Sequence, residues 1–235
     1  MTGDGQENTR DRILRATIEL LAQGRQAVST RAVSAAAGIQ PQTIYRQFGD
    51  MDGLLAEAAS EGFRRYLASK SARPKRDDPL DDLRDGWDLH IEFGLEHPAL
   101  YLLMYGDPQH SRESAAAAQT ATILRELVEA VARAGRLRID IETAVSMIQS
   151  TGIGVVITLV GTPDENQGSL DLSARTREAV LDAVTTPGDG AVNGDDPAVP
   201  ASTLRAMLPD VQHRLTPGEK ALLDELLTKI SLHQD

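Results

Sequence analysis

The stretch Gln40-Pro41-Gln42-Thr43-Ile44-Tyr45-Arg46-Gln47-Phe48 decides the fold. Proline suits the first turn of a helix, where a missing N–H costs nothing. Ile44 and Phe48 are four residues apart and share one face. Gln42, Thr43, Tyr45 and Arg46 are left on the other side. The result is a short helix with a small inner face and a thin polar outer one. Just upstream, Ser29 can cap a second short helix that Gly38 ends, with Val33, Ala36 and Ala37 expected inward. A longer amphipathic helix precedes it, from about Thr9 to Gln23, with Ile13, Leu14, Ala16, Ile18, Leu20 and Leu21 near helical spacing and Gly24 as its stop. Two short helices joined by a tight glycine turn behind a longer one make a helix-turn-helix. Asp50 can cap a fourth helix, with Leu55, Ala59, Gly62 and Tyr66 as its inner stripe.

Downstream the pattern stays helical. The spacing predicts helices near 80–95, 97–105, 112–134, 141–160 and 172–184, with 162–170 as loop. Thr186 to Ala201 is rich in Gly, Pro and Asp and reads as a flexible linker. Thr216-Pro217-Gly218-Glu219 fits a capping box that opens a last helix, with Leu223, Leu226, Leu227 and Ile230 on one side. No long segment alternates with period two, so the expected fold class is all-α. The reading divides it into a helix-turn-helix domain over 9–70, a larger helical domain over 77–185, the linker over 186–201 and a helical extension over 202–235, with 73–79 as hinge.

Composition narrows the chemistry. Hydrophobic residues make up 41% and aromatics only 3%, so the core must be built from aliphatic side chains. The absence of cysteine excludes disulfides, thiol nucleophiles and cysteine metal sites. No basic-then-apolar leader opens the chain, and the apolar run Ile153 to Val160 is too short for a span of about 20 residues. A cytoplasmic protein that makes no membrane contact is expected. The five histidines are scattered, and no catalytic triad, metal set or phosphate-cradling loop is present. No enzyme activity, cofactor or metal is therefore expected. The net charge of −11 is unevenly spread: residues 1–76 hold 12 basic and 8 acidic residues, a charge of +4, and the remainder holds 12 and 27, a charge of −15. A basic head on an acidic body fits nucleic-acid binding by the head alone. There, Gln42 has the geometry to bond adenine and Arg46 guanine. Thr43 offers a hydroxyl and a methyl, Thr30 and Tyr45 can donate to phosphates, and Arg31 adds charge beside the backbone.

Those residues carry a resemblance. Ile13-Leu14, Leu20-Leu21, Ser29-Thr30-Arg31-Ala32-Val33, Ala36-Ala37-Gly38-Ile39, Thr43-Ile44-Tyr45-Arg46-Gln47-Phe48 and Leu54-Leu55 together resemble the N-terminal domain of the TetR family of regulators, over about residues 10–56. By position, Thr30, Arg31, Gln40, Pro41, Gln42, Thr43, Tyr45 and Arg46 are similar to the family's DNA-contacting stretch. Gln40 and Gln42 are bulkier than the family's usual residues, and Met51 stands where a phosphate-contacting lysine is usual. The resemblance implies an all-α homodimer on a palindromic operator in double-stranded DNA, whose body binds a small effector. The expected function is a repressor released by that effector. The alternative is a constitutive DNA binder with no ligand.

No motif places the effector. Trp87, His90, Tyr101, Met104 and Tyr105 lie in two successive helices, and Met147, Gln149 and Thr151 on an otherwise apolar one. An apolar cavity with a few polar groups is the usual form of a small-molecule site, so these eight are the candidate effector residues. Gly152 and Gly154 cost the same helix about 1 kcal/mol each against alanine, which close helix approach would offset. By order, the helices at 141–160 and 172–184 resemble the family's dimerising pair.

Overall fold

The computed structural model describes residues 8–70, 76–107, 114–161, 166–186 and 197–232. Eleven α-helices account for most of them: α1 Thr9–Leu21, α2 Thr30–Ala37, α3 Pro41–Phe48, α4 Met51–Lys70, α5 Pro79–Glu96, α6 Pro98–Tyr105, α7 Ala115–Arg133, α8 Ile141–Val160, α9 Asn166–Val184, α10 Ala198–Val211 and α11 Pro217–Ser231. Among the described residues the only extended pairing is a single bridge between Leu137 and Thr185. The fold is all-α.

The chain forms two compact units. The first joins Met1–Arg73 to Glu92–Gln119, and the second joins Pro74–Ile91 to Thr120–Asp235. The division falls inside α5 and α7, not at the single hinge the sequence suggests. The cause lies in the first unit's core. Phe93 on α5 packs edge-on against Phe63 of α4, with ring centroids 5.1 Å apart, and lies as close to Tyr66. Tyr101 and Tyr105 on α6 continue the aromatic chain at 4.8 Å. Gly62 lets α6 come close: a Cβ there would lie 2.7 Å from a Leu100 methyl. Such aromatic pairs add about 0.5–1.5 kcal/mol each beyond the area they bury. Residues 92–105 thus complete the head's own core.

In the second unit α5 is bound to α9. The buried indole N–H of Trp87 donates to Ser173 Oγ at 3.0 Å. Arg84 bonds Asp81 and Glu178, and Arg177 bonds Glu178 and Asp88. Glu178 is held below the usual carboxylate range, chiefly by its bond to Arg84. Asp140 caps α8 by accepting from the Thr143 N–H at 3.0 Å. By length and composition α8 is apolar enough to cross a membrane, although the run Ile153–Val160 alone is too short. Here its inner face packs on α9, and Gly152 lies against Trp87 and His90 of α5.

Two sequence readings need correction at the C-terminal end. The expected linker ends early, because α10 begins at Ala198, and Ala198, Val199 and Ala201 are buried; residues 187–196 of that linker lie outside the described residues. Residues 166–170, expected as loop, already belong to α9. Helix α10 is held to the turn between α7 and α8: Arg133 donates to the Ala206 carbonyl at 3.0 Å and Ser202 to the Ile139 carbonyl at 3.1 Å. The Thr216–Glu219 capping box forms as the spacing predicts. Of the apolar face expected on α11, Leu227 alone is fully buried and Leu223 partly so.

Candidate DNA-binding site

The site is assembled from its caps outward. Ser29 Oγ accepts from the Ala32 N–H and starts α2. Gly38 ends it with φ 63°, a left-handed conformation that glycine reaches without a Cβ penalty, and the Ile39 N–H donates to the Ser34 carbonyl at 3.0 Å. Pro41 then opens α3 at its first position. Gly49, at φ 80°, closes α3, and Asp50 caps α4 by accepting from the Gly53 N–H at 2.8 Å. Two residues therefore separate α3 from the long α4.

Helix α3 turns as its spacing predicts. Ile44 and Phe48 are buried against the neighbouring helices, while Gln42, Tyr45 and Arg46 are exposed and Thr43 is half-buried. Gln40, Pro41 and Arg31 are exposed too, and Thr30 is half-buried. All eight residues named for DNA contact thus lie on α2 and α3 or at their ends. The hydroxyls of Thr30 and Tyr45 stand 3.3 Å apart and link the start of α2 to the middle of α3. Arg31 and Arg46 make no ion pair among the described residues, which leaves both guanidinium groups for an anionic partner. Met51, at the usual lysine position, is half-buried at the start of α4. One inner position shifts: Ala36 is exposed, and Ser34 is buried in its stead.

Sequence reasoning missed Arg10. Its guanidinium donates to the Gln47 carbonyl at 2.7 Å and to Glu57 at 2.6 Å, and lies 4.5 Å above the Phe48 ring. One side chain on α1 thus ties the end of α3 to α4. The partners are 37 and 47 residues away, so no local signal marks them.

The eight candidate effector residues are divided. Tyr101, Met104 and Tyr105 lie buried in the core of the first unit. Burial raises the Tyr101 phenol, which keeps its proton at any working pH. Trp87, His90, Met147, Gln149 and Thr151 belong to the second unit. Thr151 satisfies its hydroxyl within its own helix, on the Met147 carbonyl at 2.6 Å. In the first unit a groove of about 660 Å³ opens between α4 and the end of α6, with Leu55, Ala59 and Leu103 as floor and Arg25, Asp52 and Asp107 on the rim.

His90 is closely surrounded by protein atoms although part of its surface is still reachable, and burial pushes its imidazole down to about 4 from 6.5. The folded form therefore prefers the neutral ring, while the unfolded chain takes up a proton near 6.5. Stability should be full above pH 6.5 and fall as pH drops from 6.5 toward 4, by a total on the order of 3 kcal/mol. Urea unfolding across that window measures it; His90→Gln should flatten the slope.

A polar recognition face on a capped helix-turn-helix, within residues 1–76 that carry a charge of +4, defines a DNA-binding protein of the helix-turn-helix class. Residues 13–58 match the sequence pattern of the family described as bacterial regulatory proteins, tetR family. No curated protein matches the chain. Among solved structures, a TetR family transcription regulator from Shewanella sp. PV-4 aligns with a TM-score of 0.58 at 16% identity, over 77% of this chain and all of that one. The fatty acid degradation regulator FadR from Bacillus halodurans gives 0.58 at 18%, over 77% of this chain and 96% of its own. FadR from Bacillus subtilis, in complex with stearoyl-CoA, gives 0.56 at 18%, over 73% and 97%. Residues 13–58 thus carry the DNA-binding domain pattern of that family, and the chain shares the all-α fold of these solved regulators.

Proposed function

We propose that the chain is a repressor that holds a palindromic operator as a homodimer and leaves it when a small molecule binds. The observation that carries this reading is the outer face of α3, where Gln42, Tyr45 and Arg46 stand exposed on a helix anchored from behind by Ile44 and Phe48. A helix so presented fits the major groove. One such helix reads too few base pairs for a unique site, so two copies are needed, about 34–36 Å apart. The outer face of α8 supports pairing. Only 39% of its most apolar stretch is buried in one chain, and Gly154 and Ile157 face outward on it.

DNA selected from random sequence by the purified protein supplies the operator. On it, Gln42→Ala or Arg46→Ala should each weaken binding by about 1–3 kcal/mol, roughly ten- to a hundredfold, with a smaller loss on random DNA. Equal loss on both DNAs would make the residue a phosphate contact.

The effector reading draws on Trp87, His90, Met147, Gln149 and Thr151 of the second unit, and on the FadR relative seen with stearoyl-CoA. A hundredfold release needs about 2.7 kcal/mol of differential binding. Ligands found by thermal shift are then tested on operator binding, with Trp87→Ala and Leu102→Arg reporting on the second unit and on the α4–α6 groove. Ligands that stabilise the fold but leave operator affinity unchanged would refute the switch.

A further inference from the structure

Six of the eleven large apolar side chains exposed among the described residues fall within residues 204–232: Leu204, Met207, Leu222, Leu226, Ile230 and Leu232. Helices α10 and α11 pack through Ala201, Leu208 and Leu227, flanked by Leu215 and Leu223. Arg205 bonds Asp224 at 2.8 Å along one edge of that seam. On the exposed face of α11 beside the seam, Leu222, Leu226 and Ile230 recur every fourth residue and form a ridge. Leu222 is 58% exposed, the highest value among these six. Glu225 and Lys229, ion-paired at 2.5 Å, run along one flank of the ridge.

We infer that this ridge pairs with α11 of a second copy of the chain, antiparallel, about a two-fold axis at Leu226. Leu222 and Ile230 lie four residues to either side of Leu226, so reversal lays each on the other's place in the partner. Glu225 and Lys229 lie on one flank, before and after the midpoint. Reversal about that axis keeps this flank on the same edge in both copies and brings Lys229 beside the partner's Glu225. Residues 197–232 hold four basic and four acidic residues, so this surface is neutral on an otherwise acidic body. It can approach its own copy without the repulsion the rest of the body would meet. The pairing does not depend on the DNA-binding reading.

The chain has no cysteine, so one introduced thiol is the only one present. Leu226→Cys places it on the proposed axis, within disulfide reach of its twin. Ala221→Cys is exposed on another side of α11 and serves as control. Under mild oxidation Leu226→Cys should become mostly a disulfide-linked dimer on a denaturing gel, and Ala221→Cys should stay a single chain. Lys229→Glu in the Leu226→Cys background should slow linkage about two- to fivefold, and the added swap Glu225→Lys should restore it. Linkage at Leu226 no faster than at Ala221 overturns the proposal, as does a charge reversal without effect. Gly154→Cys reports separately on pairing through α8, so either interface can fail without the other.

Discussion

Phe48→Ala should lower the melting temperature by about 10 °C and abolish operator binding. The ring is buried between α3 and its neighbours, and removing it costs the transfer energy plus the cavity left behind, about 3–5 kcal/mol. For a chain of 235 residues each kcal/mol shifts the midpoint by about 2–4 °C. The effect on DNA exceeds the effect on stability, because α3 has only eight residues and two buried anchors. Without Phe48 the Arg10 guanidinium also loses the ring beneath it, and with it part of the tie that holds the end of α3 to α4. Phe48→Leu keeps most of the volume and should retain binding. Thermal unfolding and operator titration of both variants check this. Full operator affinity in Phe48→Ala would mean that Ile44 alone positions the recognition face.

Gly154→Glu should leave the fold intact and dissociate the proposed homodimer. A Cβ at Gly154 meets nothing within 4 Å in the single chain, so the substitution has room and should gain up to about 1 kcal/mol of helix propensity. Gly152 shows the contrast: its Cβ position lies 3.4 Å from the His90 ring, where a side chain would push α5 and α8 apart. Gly152 thus faces a helix of its own chain, while Gly154 faces outward, on the side proposed to meet the second copy. A carboxylate at position 154 would be buried against the second copy and doubled by symmetry. Sedimentation should give a monomer at micromolar concentration. Operator affinity should then fall by about 10³-fold or more, toward non-specific binding. A dimer that survives this substitution would exclude α8 as the interface.

The head was legible because its signals are local. Ser29, Gly38, Pro41 and Asp50 each act on backbone within three residues, and Ile44 and Phe48 need only helical spacing to find one face. Tertiary choices were not legible. The buried face of α2 includes Ser34 and leaves Ala36 outside, because the position of α1, not hydropathy, sets its inner arc. Arg10 carries no sign of its distant partners. The first turn of α10 was hidden by Pro200, which falls in the Gly/Pro-rich stretch expected as linker. Pro200 in fact falls in the first turn, where no intrahelical N–H is required. A buried Tyr or Met looks the same in sequence whether it lines a cavity or fills a core, and Tyr101 and Met104 fill one.

The first unit takes its core from two separate stretches of chain, and this limits how such a regulator can be recombined. A cut after residue 73 would strand Phe63 and Tyr66 without Phe93 and leave Gly62 facing the space Leu100 fills. A new sensor cannot be spliced onto this reading head at one junction. Residues 92–119 have to travel with the head as a second exon-like piece, and any foreign sensor must accept its boundaries in the middle of two helices.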